Sequence, residues 1–114
     1  METLYHITSA KNLDSILIEG LIPGKRKGLT LQSRGKLSKV FLTNDVDRIA
    51  ITQAGKNWIE RNKAIVIEVS VSNTEPHKYV DGGTYTLSDY EFVCDRVNPA
   101  DIVRWFEYSK SKEK

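Results

Sequence analysis

Apolar and polar positions along the chain change period several times, and the changes mark out the elements. Residues 4–7 form a short apolar run interrupted by His6, which predicts a first strand. Ser9 stands where a helix N-cap belongs, and Leu13, Ile16 and Leu17 then follow at three- and four-residue spacing. That stripe predicts a helix over about 11–19, stopped by Gly20 with Pro23 just beyond. Residues 23–38 show no period, which predicts a long loop; residues 39–43 read as a second strand. Asn44 or Asp45 is placed to cap a second helix whose buried side would hold Val46, Ile49, Ala50 and Trp58, with Gly55 weakening its final turn.

Residues 64–71 give the clearest strand, rich in β-branched side chains. Alternation sets Ile65, Ile67, Val69 and Val71 on one face and Val66, Glu68 and Ser70 on the other. Pro76, Asp81, Gly82 and Gly83 mark a turn-rich stretch in which His77 reads as a turn residue. Strands are expected over 84–87, 90–95 and 102–108, with a turn at Pro99 and a charged tail over 110–114. Two helices lie early and five or six strands cluster late, which argues for one α+β domain over residues 1–109.

Composition narrows the class. The 114 residues suit one domain, and the net charge of +2 says little about partners. The distribution says more: residues 20–44 hold no Asp or Glu but carry Lys25, Arg26, Lys27, Arg34, Lys36 and Lys39. Such a basic loop suits a diphosphate or a nucleic-acid backbone, the alternative being a solvated surface loop. Cys94 is the only cysteine, so no disulfide forms within the chain and a reducing, cytoplasmic compartment is expected. It lies in an apolar run and reads as a small hydrophobe, not a nucleophile. No apolar run is long enough for a membrane-spanning helix, the N-terminus carries no apolar signal segment, and two scattered histidines with one cysteine give no metal-ligand spacing.

Two fragments carry candidate chemistry. In Leu4-Tyr5-His6-Ile7-Thr8, an imidazole followed by a hydroxyl can grip a ribose edge. In Tyr90-Glu91-Phe92-Val93-Cys94-Asp95, a carboxylate in an alternating strand can stabilise a sugar cation. Alternation puts Glu91 on one face with Val93 and leaves Tyr90, Phe92 and Cys94 on the other. Together they point to chemistry on a nucleotide, NAD first.

Three blocks in order resemble small proteins of the ADP-ribosyltransferase fold. The first runs from Leu4-Tyr5-His6-Ile7-Thr8 through Asn12-Leu13, Ser15-Ile16-Leu17 and Gly20-Leu21-Ile22-Pro23. The second is Lys39-Val40-Phe41-Leu42-Thr43-Asn44-Asp45, with Ala50 beyond it. The third is Tyr90-Glu91-Phe92-Val93 followed by Val97-Asn98-Pro99-Ala100-Asp101-Ile102. The resemblance to the diphtheria-toxin and poly(ADP-ribose) polymerase branch implies a split β-sheet cleft with two helices and NAD-dependent mono-ADP-ribosyl transfer to a protein or nucleic-acid acceptor. It implies that His6 contacts the adenosine ribose and Thr8 the nicotinamide amide, with Phe41 as an aromatic wall. Glu91 is the implied catalytic carboxylate, and Ser9, Thr43 and Thr52 line the pocket. Lys25, Arg26, Lys27, Arg34 and Asp89 would meet the acceptor or a phosphate. The second tyrosine of that branch has no match near Thr52 and Gln53. DNA-modifying ADP-ribosyltransferase toxins and RNA 2′-phosphotransferases are similar in the same blocks. They leave open a toxin-like role for the basic loop, NAD-dependent phosphate removal from RNA, or a non-catalytic nucleotide-binding module.

Overall fold

The computed structural model describes residues 2–23, 39–81 and 84–108. Lys25, Arg26, Lys27, Arg34 and Lys36 of the basic loop, and the predicted 110–114 tail, lie outside the described residues. The chain is an α+β protein built on one antiparallel sheet of six strands, in the order β4-β5-β2-β1-β3-β6. The strands are β1 (Glu2–Thr8), β2 (Val40–Thr43), β3 (Ile65–Val71), β4 (Glu75–Asp81), β5 (Thr84–Cys94) and β6 (Ile102–Glu107). Helix α1 (Leu13–Glu19) follows β1 through a 3-10 turn, and α2 (Gln53–Asn62) leads into β3. No described helix is long and apolar enough to cross a membrane.

Register decides which side chains share a face, because residues directly opposite in an antiparallel pair point the same way. Leu4 lies opposite Val69, His6 opposite Ile67 and Thr8 opposite Ile65. These residues, with Val40, Leu42 and Cys94, form the face covered by α1, and most of them belong to the main core with Ile16, Leu21 and Val97. Each large side chain buried there contributes about 1.5–3 kcal/mol. The β3 alternation therefore stands as the sequence predicts. Cys94 is buried in this core, and burial pushes its thiol above the ordinary value, so it behaves as a hydrophobe.

The sheet is not two separate strand layers. It is one sheet with a seam: among the described residues, the β1–β2 ladder is the single pair Tyr5 opposite Thr43. By contrast, β1 pairs with β3 along its full length, from Glu2 to Thr8.

Several boundaries differ from those the sequence predicts. The residues expected to form a turn around Pro76 form strand β4. Proline is tolerated there because β4 is an edge strand, where one side of the backbone needs no ladder donor. Strands expected separately over 84–87 and 90–95 are one long strand, β5. The helix expected after Asp45 is divided. A 3-10 turn over Val46–Ile51 is capped by the Asp45 carboxylate, and Thr52 then restarts the chain as α2 by accepting the Gly55 N–H at 3.0 Å. Gly55 permits this break, since a Cβ there would lie 1.7 Å from the Ile49 carbonyl oxygen. Ser9 occupies the expected cap position without making a cap bond; its hydroxyl donates instead to the Asn62 carbonyl at 3.3 Å, joining the start of α1 to the end of α2. Trp105 is 44% exposed because its strand β6 is a sheet edge.

Gly20 ends α1 with φ of +82° and packs against the segment before β6. Leu21 and Val97 exchange backbone hydrogen bonds at 2.9 and 2.8 Å, and a Cβ on Gly20 would sit 2.1 Å from the Val97 oxygen. Both backbone strain and overlap therefore oppose a side chain. Gly20→Ala is expected to cost about 3 kcal/mol, read as a lower urea midpoint with unchanged slope.

Candidate functional site

Two groups of polar side chains flank the β1–β2 seam, one on each face of the sheet. On the α1 side, a pocket of about 230 Å³ is lined by His6 and Thr8 of β1, Asn12, Ser15 and Ile16 near and on α1, and Val40 of β2. Helical spacing brings Asn12, Ser15 and Ile16 to one side of the turn that follows β1. The Asn12 side chain donates to the Thr8 hydroxyl at 3.0 Å, so the polar wall is held in place before any ligand arrives. Lys39 also lines this pocket. Its ammonium donates to Asp95 at 2.6 Å, and that hydrogen bond and charge hold the lysine above its ordinary value. Ser9 is buried beside this wall, although its hydroxyl is committed to Asn62.

His6 joins the two strands that flank the seam. Its Nδ1 lies 2.9 Å from the Phe41 carbonyl oxygen across the seam. A carbonyl only accepts, so Nδ1 carries a proton and donates.

The opposite face carries Phe41, Thr43 and Glu91. Thr43 lies opposite Glu91 and Phe41 opposite Val93, which confirms the face that alternation assigns to Glu91. A row of polar and aromatic residues crosses the sheet here: Arg104, Glu68, Tyr5, Thr43 and Glu91 stand on five neighbouring strands, each opposite the next. At about 4.8 Å per strand, Tyr5 is two strands from Glu91. The far end of the row is closed by an ion pair, with Arg104 Nε 2.7 Å from Glu68 Oε1. His6 and Glu91 are therefore not side by side. The imidazole faces α1, the carboxylate faces away from it, and β2 stands between their strands.

A bulge presents Glu91. Pro76 pairs with Phe92 and Lys78 with Leu87, so the single residue His77 faces four on β5, residues 88–91. The buried Ser88 hydroxyl accepts from the Tyr90 and Glu91 backbone N–H groups at 3.3 and 3.0 Å, which fixes the extra length. Bulges of this kind often re-aim a side chain at a site. The turn after β2 is tied to the same segment. The Thr43 hydroxyl donates to the Tyr90 carbonyl at 2.8 Å, and the Asn44 amide donates to the Asp89 carbonyl at 3.2 Å. Arg48 stacks over the Tyr90 ring at 4.1 Å. Asp89 itself is exposed beside this turn.

Sequence reasoning missed His77. It is not a turn residue: it lies in β4, is 5% exposed, and meets the Phe41 ring edge-on at 5.2 Å between centroids. Nothing in the local pattern around Pro76 signals a buried imidazole. Asn12 and Ser15 were visible only as parts of a motif, although their spacing after His6 and Thr8 marks the same wall. Thr52, expected in the cofactor pocket, is exposed and serves as the α2 cap. Among the described residues there is no cluster of His, Cys, Asp and Glu that would hold a metal ion.

Ser88→Ala would leave two strand N–H groups without their acceptor. The expected loss is about 1–2 kcal/mol of stability, measured by urea unfolding, with backbone amide shifts confined to 88–91 and the facing part of β4.

No family model matches the chain, and no curated protein matches it.

Proposed function

We propose that the protein is a mono-ADP-ribosyltransferase that uses NAD as its substrate and transfers to a protein or nucleic-acid acceptor. The reading also takes the seamed sheet as a form of the ADP-ribosyltransferase-like split sheet. One observation carries it: the β5 bulge sets Glu91 on the same face as Phe41 and Thr43, beside a seam that His6 bridges from the other face.

The residues present suit the two halves of such a substrate. The α1-side pocket offers hydroxyl, amide and imidazole groups of the kind a ribose needs. Its volume is below the 300–1,000 Å³ common for whole ligand sites, so it would take one nucleoside portion and leave the rest to the Glu91 face. His6 and Thr8 would hold the adenosine side. The Phe41 ring would bound the nicotinamide. NAD supplies a ribose carbon whose leaving group is already cationic. The Glu91 carboxylate stabilises the positive charge that grows on that carbon as the bond to nicotinamide breaks, an effect that is large where water is excluded. Its backbone is fixed by Ser88, so little reorganisation is needed at that moment.

The second reading is a nucleotide-binding module without catalysis. It is favoured by Thr52, which caps α2 at the position where the resembling branch carries its second tyrosine.

Nicotinamide release from NAD separates these readings. The wild-type protein is expected to release nicotinamide and Glu91→Gln to release it about a hundredfold to a thousandfold more slowly, with its amide spectrum preserved outside the bulge. Equal behaviour of the two proteins, with NAD bound but intact, supports the module. Loss of phosphate from a 2′-phosphorylated RNA only when NAD is present supports a phosphotransferase instead.

A further inference from the structure

We propose that His77 is the positioning residue for Glu91, its imidazole held against the Phe41 ring and donating a ring N–H to the carboxylate across the β4–β5 bulge. The catalytic meaning of this pairing rests on the transferase reading above; the pairing itself does not.

Three observations place the two groups together. Glu75 lies opposite Val93, and His77 follows Glu75 by two residues, so His77 shares the face of Val93, Glu91 and Phe41. The edge-on contact with Phe41 confirms that face and fixes the ring plane at 71° to its neighbour. Finally, His77 is the one residue of β4 that faces the four-residue bulge carrying Glu91. A buried imidazole needs hydrogen-bond partners, and a carboxylate that must act in one direction needs a donor to hold it. A histidine at this point meets both needs.

Among the described residues, the charged and titratable groups on the strands around His77 include these. On β5 they are Asp89, Tyr90 and Glu91, with Arg48 stacked on Tyr90. On β4 they are Glu75 on the same face and Lys78 on the other. Strand β2 contributes none. Glu75 and Asp89 are thus the rival carboxylates.

The chain has two histidines, so imidazole proton NMR gives two titration curves, and His77→Gln assigns them. In Glu91→Gln the His77 midpoint is expected to fall by about one pH unit, while the His6 midpoint stays put. Glu75→Gln and Asp89→Asn should each move His77 by much less. Glu91→Asp, which keeps the charge on a shorter stem, serves if Glu91→Gln perturbs the amide spectrum beyond the bulge, and should give a smaller fall. An unmoved His77 curve in the Glu91 variants, or a larger response to Glu75→Gln or Asp89→Asn, overturns the proposal. In nicotinamide release, His77→Phe should lower kcat about tenfold, as orienting partners commonly do, with KM for NAD little changed. His77→Gln, which keeps an N–H donor, should recover part of the loss. A merely structural histidine would show neither the recovery nor the linked titration. Absence of release by the wild-type protein sinks the transferase reading, and the titrations still decide the role of His77.

Discussion

One bond across the seam organises this molecule. The six strands fall into two sets of three, β4-β5-β2 and β1-β3-β6, and within each set the ladders are long. Between the sets the backbone supplies one residue pair, Tyr5 with Thr43. The His6 imidazole adds a side-chain hydrogen bond to the Phe41 carbonyl. A candidate binding residue therefore also serves as structural bridging. Its Nδ1 proton follows from that duty, since a carbonyl only accepts.

The two polar groups beside the seam have different surroundings. The α1 side is shaped by a helix held from both ends: Ser9 reaches Asn62 at the entry, and Gly20 with the Leu21–Val97 pairing fixes the exit. The far side is shaped by strands alone, with Ser88 and Thr43 locking the backbone around Glu91. Rigid elements on both sides limit how far either group moves, which is what precise positioning demands. Lys39 and Asp95 add an exposed ion pair where β2 begins and β5 ends, and such a pair contributes little to stability.

Much of this was legible in the residues, for identifiable reasons. Strand β3 is buried on both faces along its first half, so its β-branched run shows through without ambiguity. Helix α1 carries a stripe, a stop and a following proline. Glu91 is flanked by Tyr90 and Phe92 in a strand-like run, so its face can be read off. Strand β4 could not be read: Pro76 argues against a strand everywhere except at an edge, and edge position is a property of the whole sheet. For the same reason His77 looked like part of a turn, and its burial arises only when Phe41 of a distant strand comes beside it. The division of the second helix was equally hidden, because Gly55 answers to the Ile49 carbonyl and not to helix propensity.

The bulge at 88–91 also separates two parts of a long hairpin. Inside it, β4 and β5 follow the register Glu75–Val93 and Pro76–Phe92; outside it they follow Lys78–Leu87 through Asp81–Thr84. The count of residues is reset between them. The distal arm is thus free to lengthen or shorten over evolutionary time while the carboxylate at its base keeps its address.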